Sequence, residues 1–225
     1  MTKYLKLFTN YSETDSYESG TDYIEPYVSL TEVIGGGDVR YNLVPSIILT
    51  MNDSIKIKLY NETAVNVNTL SNTRPDIDIS NITNIELSNK ITSIDSLLGC
   101  RKLESINIPD SVKTIKMEAF NNCQHLYSIV IPKSINKLSS ETFRDCISLT
   151  SVTLTDSLQL INDKAFMGDE NIRELKIIGK KQIINLLPYE LITNLTHLYV
   201  DESLVNFYEG IRDAMGKTFE ISPLN

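Results

Sequence analysis

From Leu103 onward the apolar residues fall on a fixed grid. Leu103, Ile106, Ile108, Val112, Ile115, Phe120 and Cys123 recur 23 residues later as Leu126, Ile129, Ile131, Ile135, Leu138, Phe143 and Cys146, while Ala119 is matched by Ala165 two periods on. They recur again as Leu149, Val152, Leu154, Leu158, Ile161, Ala165 and Phe166. A fixed period of this length predicts a solenoid, in which no coil buries its apolar face without its neighbours. Each coil opens as Leu-x-x-Ile-x-Ile, an alternation that predicts a short parallel strand facing inward at every second residue. Pro109 and Pro132 end their strands, because proline cannot donate to a ladder. The Ala-Phe-x-x-Cys stretch is expected to form the convex side as a single helical or 3-10 turn. Coils start at residues 82, 103, 126, 149, 172 and 195. The first is two residues short. The coil from 172 is degenerate, with Asp169 in the cysteine slot and Ile183, Ile184, Leu186 and Leu187 replacing Ser-Val-x-x-Ile.

Residues 1–81 lack the repeat. Tyr27–Val33, the triplet Gly35-Gly36-Gly37 and Val39–Asn42 read as strand, glycine turn, strand. Ser46–Met51 and Ile55–Tyr60 read as a second hairpin, and Thr69–Asp76 is linker-like. After Ser203, a plausible N-cap, Leu204, Phe207, Tyr208, Ile211 and Met215 recur at helical spacing up to Gly216, followed by Thr218–Ile221. The expected fold is a repeat solenoid: a parallel β ladder over 82–200, a small hairpin-rich N-terminal module at 1–45, a β-hairpin cap and linker at 46–81, and a C-terminal helical cap at 201–225.

Composition narrows the function. The net charge of −8 and pI near 4.9 argue against a nucleic-acid partner. Residues 1–81 carry 11 acids and 6 bases and residues 82–225 carry 18 and 15, so the acidity is spread rather than held in a tail. No run reaches the ~18 apolar residues of a membrane helix, and Met1–Asn10 does not read as a secretory signal. The expectation is an unsignalled chain, or one released by another route such as lysis, with no membrane insertion. Cys100, Cys123 and Cys146 share one repeat slot and are expected to be structural, packed with Phe120, Phe143 and Phe166.

No arrangement of residues makes a catalytic case, and no cofactor or metal is expected. Gly35-Gly36-Gly37 lacks the lysine of a phosphate loop. Asp76 and Asp78 alternate, but calcium needs about 6–8 oxygens. His125 and His197 fall in different coil positions and do not converge. Asn61, Asn81 and Asn194 open glycosylation sequons, read as chance in an Asn- and Thr-rich chain. What remains is the outward side of the strands. Its candidate contacts are Tyr127, Ser128, Val130, Ser151, Thr153, Arg173, Glu174, Lys176, His197 and Tyr199. The strip suits glycan or protein contact, and equally suits a plain solvated face.

The phrase Leu103-x-x-Ile106-x-Ile108-Pro109-x-Ser111-Val112-x-x-Ile115-x-x-x-Ala119-Phe120-x-x-Cys123 resembles the BspA-type leucine-rich repeat, over roughly 82–200. That resemblance implies adhesion and no catalysis. The coil from 172 departs most from the pattern. Leu198-Tyr-Val200 through Tyr208 is similar to the terminal cap of that family. Lys3–Phe8, Tyr23–Leu30 and Val39–Asn42 resemble the opening segment of virion proteins in crAss-like tailed phages. The second resemblance implies a tail or tail-fibre structural protein located in the virion, gripping other virion proteins through 1–45, with a host-surface glycan or protein on the solenoid and a possible homo-oligomer. A bacterial cell-surface adhesin and a cytoplasmic interaction scaffold are the alternatives.

Overall fold

A computed structural model describes Asp22–Tyr23 and residues 45–224, apart from 53, 60–61, 69–71, 73–74, 76, 184–186, 189–190 and 192. Apart from Asp22–Tyr23 and residue 45, the expectations for the 1–45 module fall outside these residues, as do those for the glycine triplet, Tyr60, Asn61, Asp76, Ile184 and Leu186.

Strands β1 (Asp22–Tyr23), β2 (Ile47–Met51), β3 (Lys56–Leu59) and β4 (Ala64–Asn66) precede the repeat. The coils then supply β5 (Ile82–Leu87), β6 (Ser93–Ser96), β7 (Ser105–Ile106), β8 (Thr114–Ile115), β9 (Ser128–Val130), β10 (Lys137–Leu138), β11 (Ser151–Thr155) and β12 (Leu160–Ile161). Last come β13 (Glu174–Ile178), β14 (His197–Val200), helix α1 (Val205–Ala214) and β15 (Glu220–Pro223).

The strand face consists of two sheets, ordered β1-β3-β2-β5-β7 and β9-β11-β13-β14-β15. Within the second every pairing is parallel and offset by the repeat, as in Ser128↔Ser151↔Glu174↔His197↔Glu220. At the other end β2 pairs antiparallel with β5. The face therefore runs past both ends of the apolar grid. β15 is a seventh coil strand: Ile221 lies opposite Leu198, 23 residues earlier.

The other side of each coil also departs from expectation. Among the described residues of the coils from 103, 126 and 149 no helix forms there. Instead β4-β6-β8 and β10-β12 make a second parallel ladder, beginning at Ala64, inside the stretch read as cap and linker. Beyond it the Ala-Phe-x-x-Cys stretch is a series of tight turns, such as Asn121 N–H to Glu118 C=O and Cys123 N–H to Phe120 C=O. The cause is local. The residue before each cysteine slot is left-handed in four successive coils: Gly99 (φ 82°), Asn122 (64°), Asp145 (59°) and Gly168 (88°). Those are the residue types that tolerate that region, and one such residue stops a helix. The broken turn leaves alternate amides free to bond the next coil: Phe120 to Thr142, Asn122 to Arg144, Phe143 to Ala165 and Asp145 to Met167, at 2.8–2.9 Å. Ser134 and Ser157 hydroxyls add donations to the Val112 and Ile135 carbonyls of the preceding coil.

Between the ladders lies one apolar core, with Leu103, Leu126, Leu149 and Ile172 wholly buried. Phe120, Phe143 and Phe166 stack coil on coil with centroids 5.0 and 5.1 Å apart. Burial gives each ring about 1.5–3 kcal/mol and the stacking about 0.5–1.5 more, so burial dominates. Cys100, Cys123 and Cys146 are free, buried thiols. The second and third donate to the carbonyls of Leu97 and Phe120. Thr142 replaces alanine in its slot and satisfies its hydroxyl on Ser139 C=O at 2.9 Å.

At the C-terminal end Asp201, rather than Ser203, is the capping side chain: it accepts from the Ser203 amide and opens a 3-10 turn (Glu202–Leu204) that leads into α1. Tyr208 is buried, and its hydroxyl accepts from Ile183 N–H at 3.2 Å. In the degenerate coil, the Asp156 carboxylate accepts from Lys180 N–H at 2.9 Å and packs against Gly179, whose φ is 122°.

Gly179→Ala would drive a Cβ into that carboxylate in a conformation L residues rarely adopt. It is expected to cost on the order of 2–3 kcal/mol. Gly210→Ala, on α1 with open space around it, is expected to add about 0.5–1 kcal/mol. Urea unfolding of the two variants checks both signs. Burial pushes the Cys100 thiol up to about 12 and raises Cys123 and Cys146 well above the ordinary value. The folded chain thus holds these protons more tightly than the unfolded one, and this contribution is complete below the ordinary thiol pKa. Stability is expected to fall as pH rises from ~8.5 toward the folded value. A thiol reagent at neutral pH should label the cysteines only after unfolding.

Candidate functional site

Because the strands are parallel and in register, their outward side chains form two rows across the ladder. One runs Ser128, Ser151, Glu174, His197, Glu220, and the other Val130, Thr153, Lys176, Tyr199, Ser222. Toward the N-terminal end, Asn84 and Glu86 on β5 and Ser105 on β7 continue the face, with Asn84 opposite Ser105.

The rows differ along their length. At the β13–β15 end the side chains are engaged with one another. Lys176 Nζ lies 5.4 Å from the centroid of the Tyr199 ring. The His197 ring is near-parallel to Tyr199 at 6.2 Å, and its Nε2 is 3.2 Å from Glu220 Oε2. Glu220 was not among the sequence candidates, because it belongs to the seventh strand. Its signal was the 23-residue step from His197.

In the middle of the face the side chains are small. Tyr127 and Val130 are 49% and 53% exposed. Ser128 is exposed and Ser151 half-buried. Thr153, a short side chain between Val130 and Lys176 in its row, is only 9% exposed. Arg173 is held by the backbone just before it. Its guanidinium folds back onto the carbonyls of Glu170 and Ile172 at 2.9 and 3.1 Å.

At the β5–β9 end a shallow groove opens, lined by Asn84, Glu86, Ser105, Ile106, Asn107 and Val130. Ser105 Oγ lies 3.4 Å from Asn84 Oδ1, and Glu86 Oε1 lies 4.0 Å from Lys56 Nζ. The outward direction of these residues is readable from alternation. The groove is not, since it arises where the ladder divides between β7 and β9.

The remaining candidates stand apart. His125 Nδ1 lies against the Arg101 carbonyl at 2.8 Å, away from His197. The Asp78 carboxylate accepts from Ser80 and Asn81 in a local cap, and the Ser80 hydroxyl and amide hold it below the usual carboxylate range. Asn194 Nδ2 donates to Glu170 C=O at 3.0 Å, as Asn171 does to Ile147 C=O at 2.8 Å. The sequon asparagine is thus part of a ladder between coils. Among the described residues no group of three or more His, Cys, Asp or Glu is placed to hold a metal. Among the same residues no helix is long and apolar enough to cross a membrane.

A family model described as BspA type leucine rich repeat region (6 copies) matches residues 96–211, a little over half of the chain. Among solved structures the chain is similar to a leucine rich cell surface protein from Faecalibacterium prausnitzii A2-165: 27% identity, TM-score 0.44, over 55% of this chain and 34% of that one. It is also similar to the leucine rich repeat protein of T. pallidum: 22% identity, TM-score 0.34, over 60% of this chain and 59% of that one. The chain thus spans about a third of the length of the first and less than two thirds of the second. No curated protein matches. The match over half its length, on a ladder of parallel strands with a 23-residue period, places the chain in the BspA-type leucine-rich-repeat family.

Proposed function

We propose that the chain is a non-enzymatic recognition module that attaches to a partner through its strand face, in an adhesive role. The observation that carries this reading is the exposure of Tyr127 and Val130 amid small polar neighbours on an uncovered sheet. Apolar and aromatic area in such a setting favours contact over mere solvation. Family membership supports it, since the resemblance implies adhesion. In this reading α1 and β15 cap the last coil as part of 201–225, residues 46–81 cap and link the first, and 1–45 dock.

Two settings suit such a module. A bacterial cell surface is the one the family supports. A phage particle is supported by the likeness of Lys3–Phe8, Tyr23–Leu30 and Val39–Asn42 to virion proteins of crAss-like phages. There, residues 1–45 grip other virion proteins and the solenoid meets a host-surface glycan or protein. Mass spectrometry of purified particles and of washed cell envelopes from one culture separates the settings: the chain is enriched in one fraction and depleted from the other.

Ser128→Arg combined with Val130→Arg places two long cations on the exposed centre of the face. Binding of the purified chain to cells from its source culture is expected to be lost, with the melting temperature unchanged. Met167→Arg, on the turn side, should bind as the parent does. Equal binding by the double variant would remove the strand face from consideration.

A further inference from the structure

The strand face divides once among the described residues, between β7 and β9, and the groove at that division has a volume of about 430 Å³. That groove is shallow and open to solvent.

The groove is polar without being strongly charged. Outward positions from Asn84 to Thr153 (Asn84, Glu86, Ser105, Asn107, Ser128, Val130, Ser151 and Thr153) carry one formal charge, on Glu86, and Lys56 stands beside it. Asn and Ser groups both donate and accept, whereas a carboxylate only accepts. The Asn84 carbonyl faces the Ser105 hydroxyl, which leaves its amide nitrogen to donate elsewhere. Exposed Val130 supplies an apolar patch on one wall, and Tyr127 follows on the same coil.

These features together select a ligand. A protein anchor would want aromatic or Arg pockets, and the lining of the groove itself holds neither. A nucleic acid or sulfated polymer would want cations. A ligand whose hydroxyls each donate and accept, and whose C–H faces rest on apolar carbon, matches what is there. We propose that the groove between β5 and β9 binds a neutral glycan, with Asn84, Glu86 and Asn107 gripping vicinal hydroxyls over Val130. This assignment rests on the strand face being the recognition surface.

The test is titration of the purified full chain with malto-, cello- and manno-oligosaccharides, followed by calorimetry and amide NMR shifts. At least one series is expected to bind saturably and to shift the amides of β5, β7 and β9. Asn107→Ala and Glu86→Ala, both at exposed positions, should each weaken it about tenfold, the scale of one lost hydrogen bond to a ligand. Tyr199→Ala, at the far end of the face, should leave it unchanged. The proposal is overturned if no series binds at millimolar concentration, if both groove variants bind like the parent, or if heparin binds in preference to every neutral sugar. If the two arginines on β9 abolish cell binding while no neutral sugar binds, the glycan assignment falls and the recognition reading stands. If those arginines leave cell binding intact, the recognition reading falls and takes the glycan assignment with it.

Discussion

Everything in this molecule depends on each coil returning to the same place after the same number of residues. Only then do amides such as Phe120 and Asn122 meet the carbonyls of Thr142 and Arg144 one coil on. Only then does Phe143 fall between two other phenylalanines. A buried amide left without a partner costs about 1–3 kcal/mol, and one slipped residue would strand several. The left-handed slot before each cysteine enforces the return, because it turns the chain without spending residues on a helix. The first coil tests the rule. It is two residues short, and the deficit is confined to the corner after Ile94, where β6 meets β4 with a shifted register. By Leu97 the chain is back in step, donating to Ala119.

The same constraint makes the surface. Since inward positions must be apolar in every coil, each strand offers only its alternate residues to the outside, and the register arranges those into rows. Rows make neighbours of residues 23 apart, so Lys176 meets Tyr199 and His197 meets Glu220. Where the ladder is continuous the rows are closely set and polar groups satisfy one another. Near the division between β7 and β9, asparagine, serine and valine line a groove instead. The groove thus lies at an interruption of the periodic order, at the end of the face with the least charge.

Much of this was legible in the sequence. The strand starts, the inward grid and the phenylalanine and cysteine slots follow from period alone, because burial leaves those positions little choice. The second ladder was not legible: two-residue strands such as Thr114–Ile115 are too short to show alternation. The seventh strand was hidden by the helix before it, although Ile221 keeps step with Leu198. The turn geometry was legible but unread, written as Gly99, Asn122, Asp145 and Gly168 in one column. For the surface, outward direction followed from alternation, whereas exposure did not. Thr153 is only 9% exposed, and backbone carbonyls hold Arg173. Side-chain length and local acceptors decide that, and no repeat encodes them.

The most direct measurement is residue-resolved amide hydrogen exchange on the folded chain. If the coils are locked together on both sides, the amides of Phe120, Asn122, Phe143 and Asp145 should exchange as slowly as those of Val152 and Leu175 on the strand face. Fast exchange at those four, with protection confined to the strand face, would mean the turn side is not a hydrogen-bonded ladder and would contradict the account.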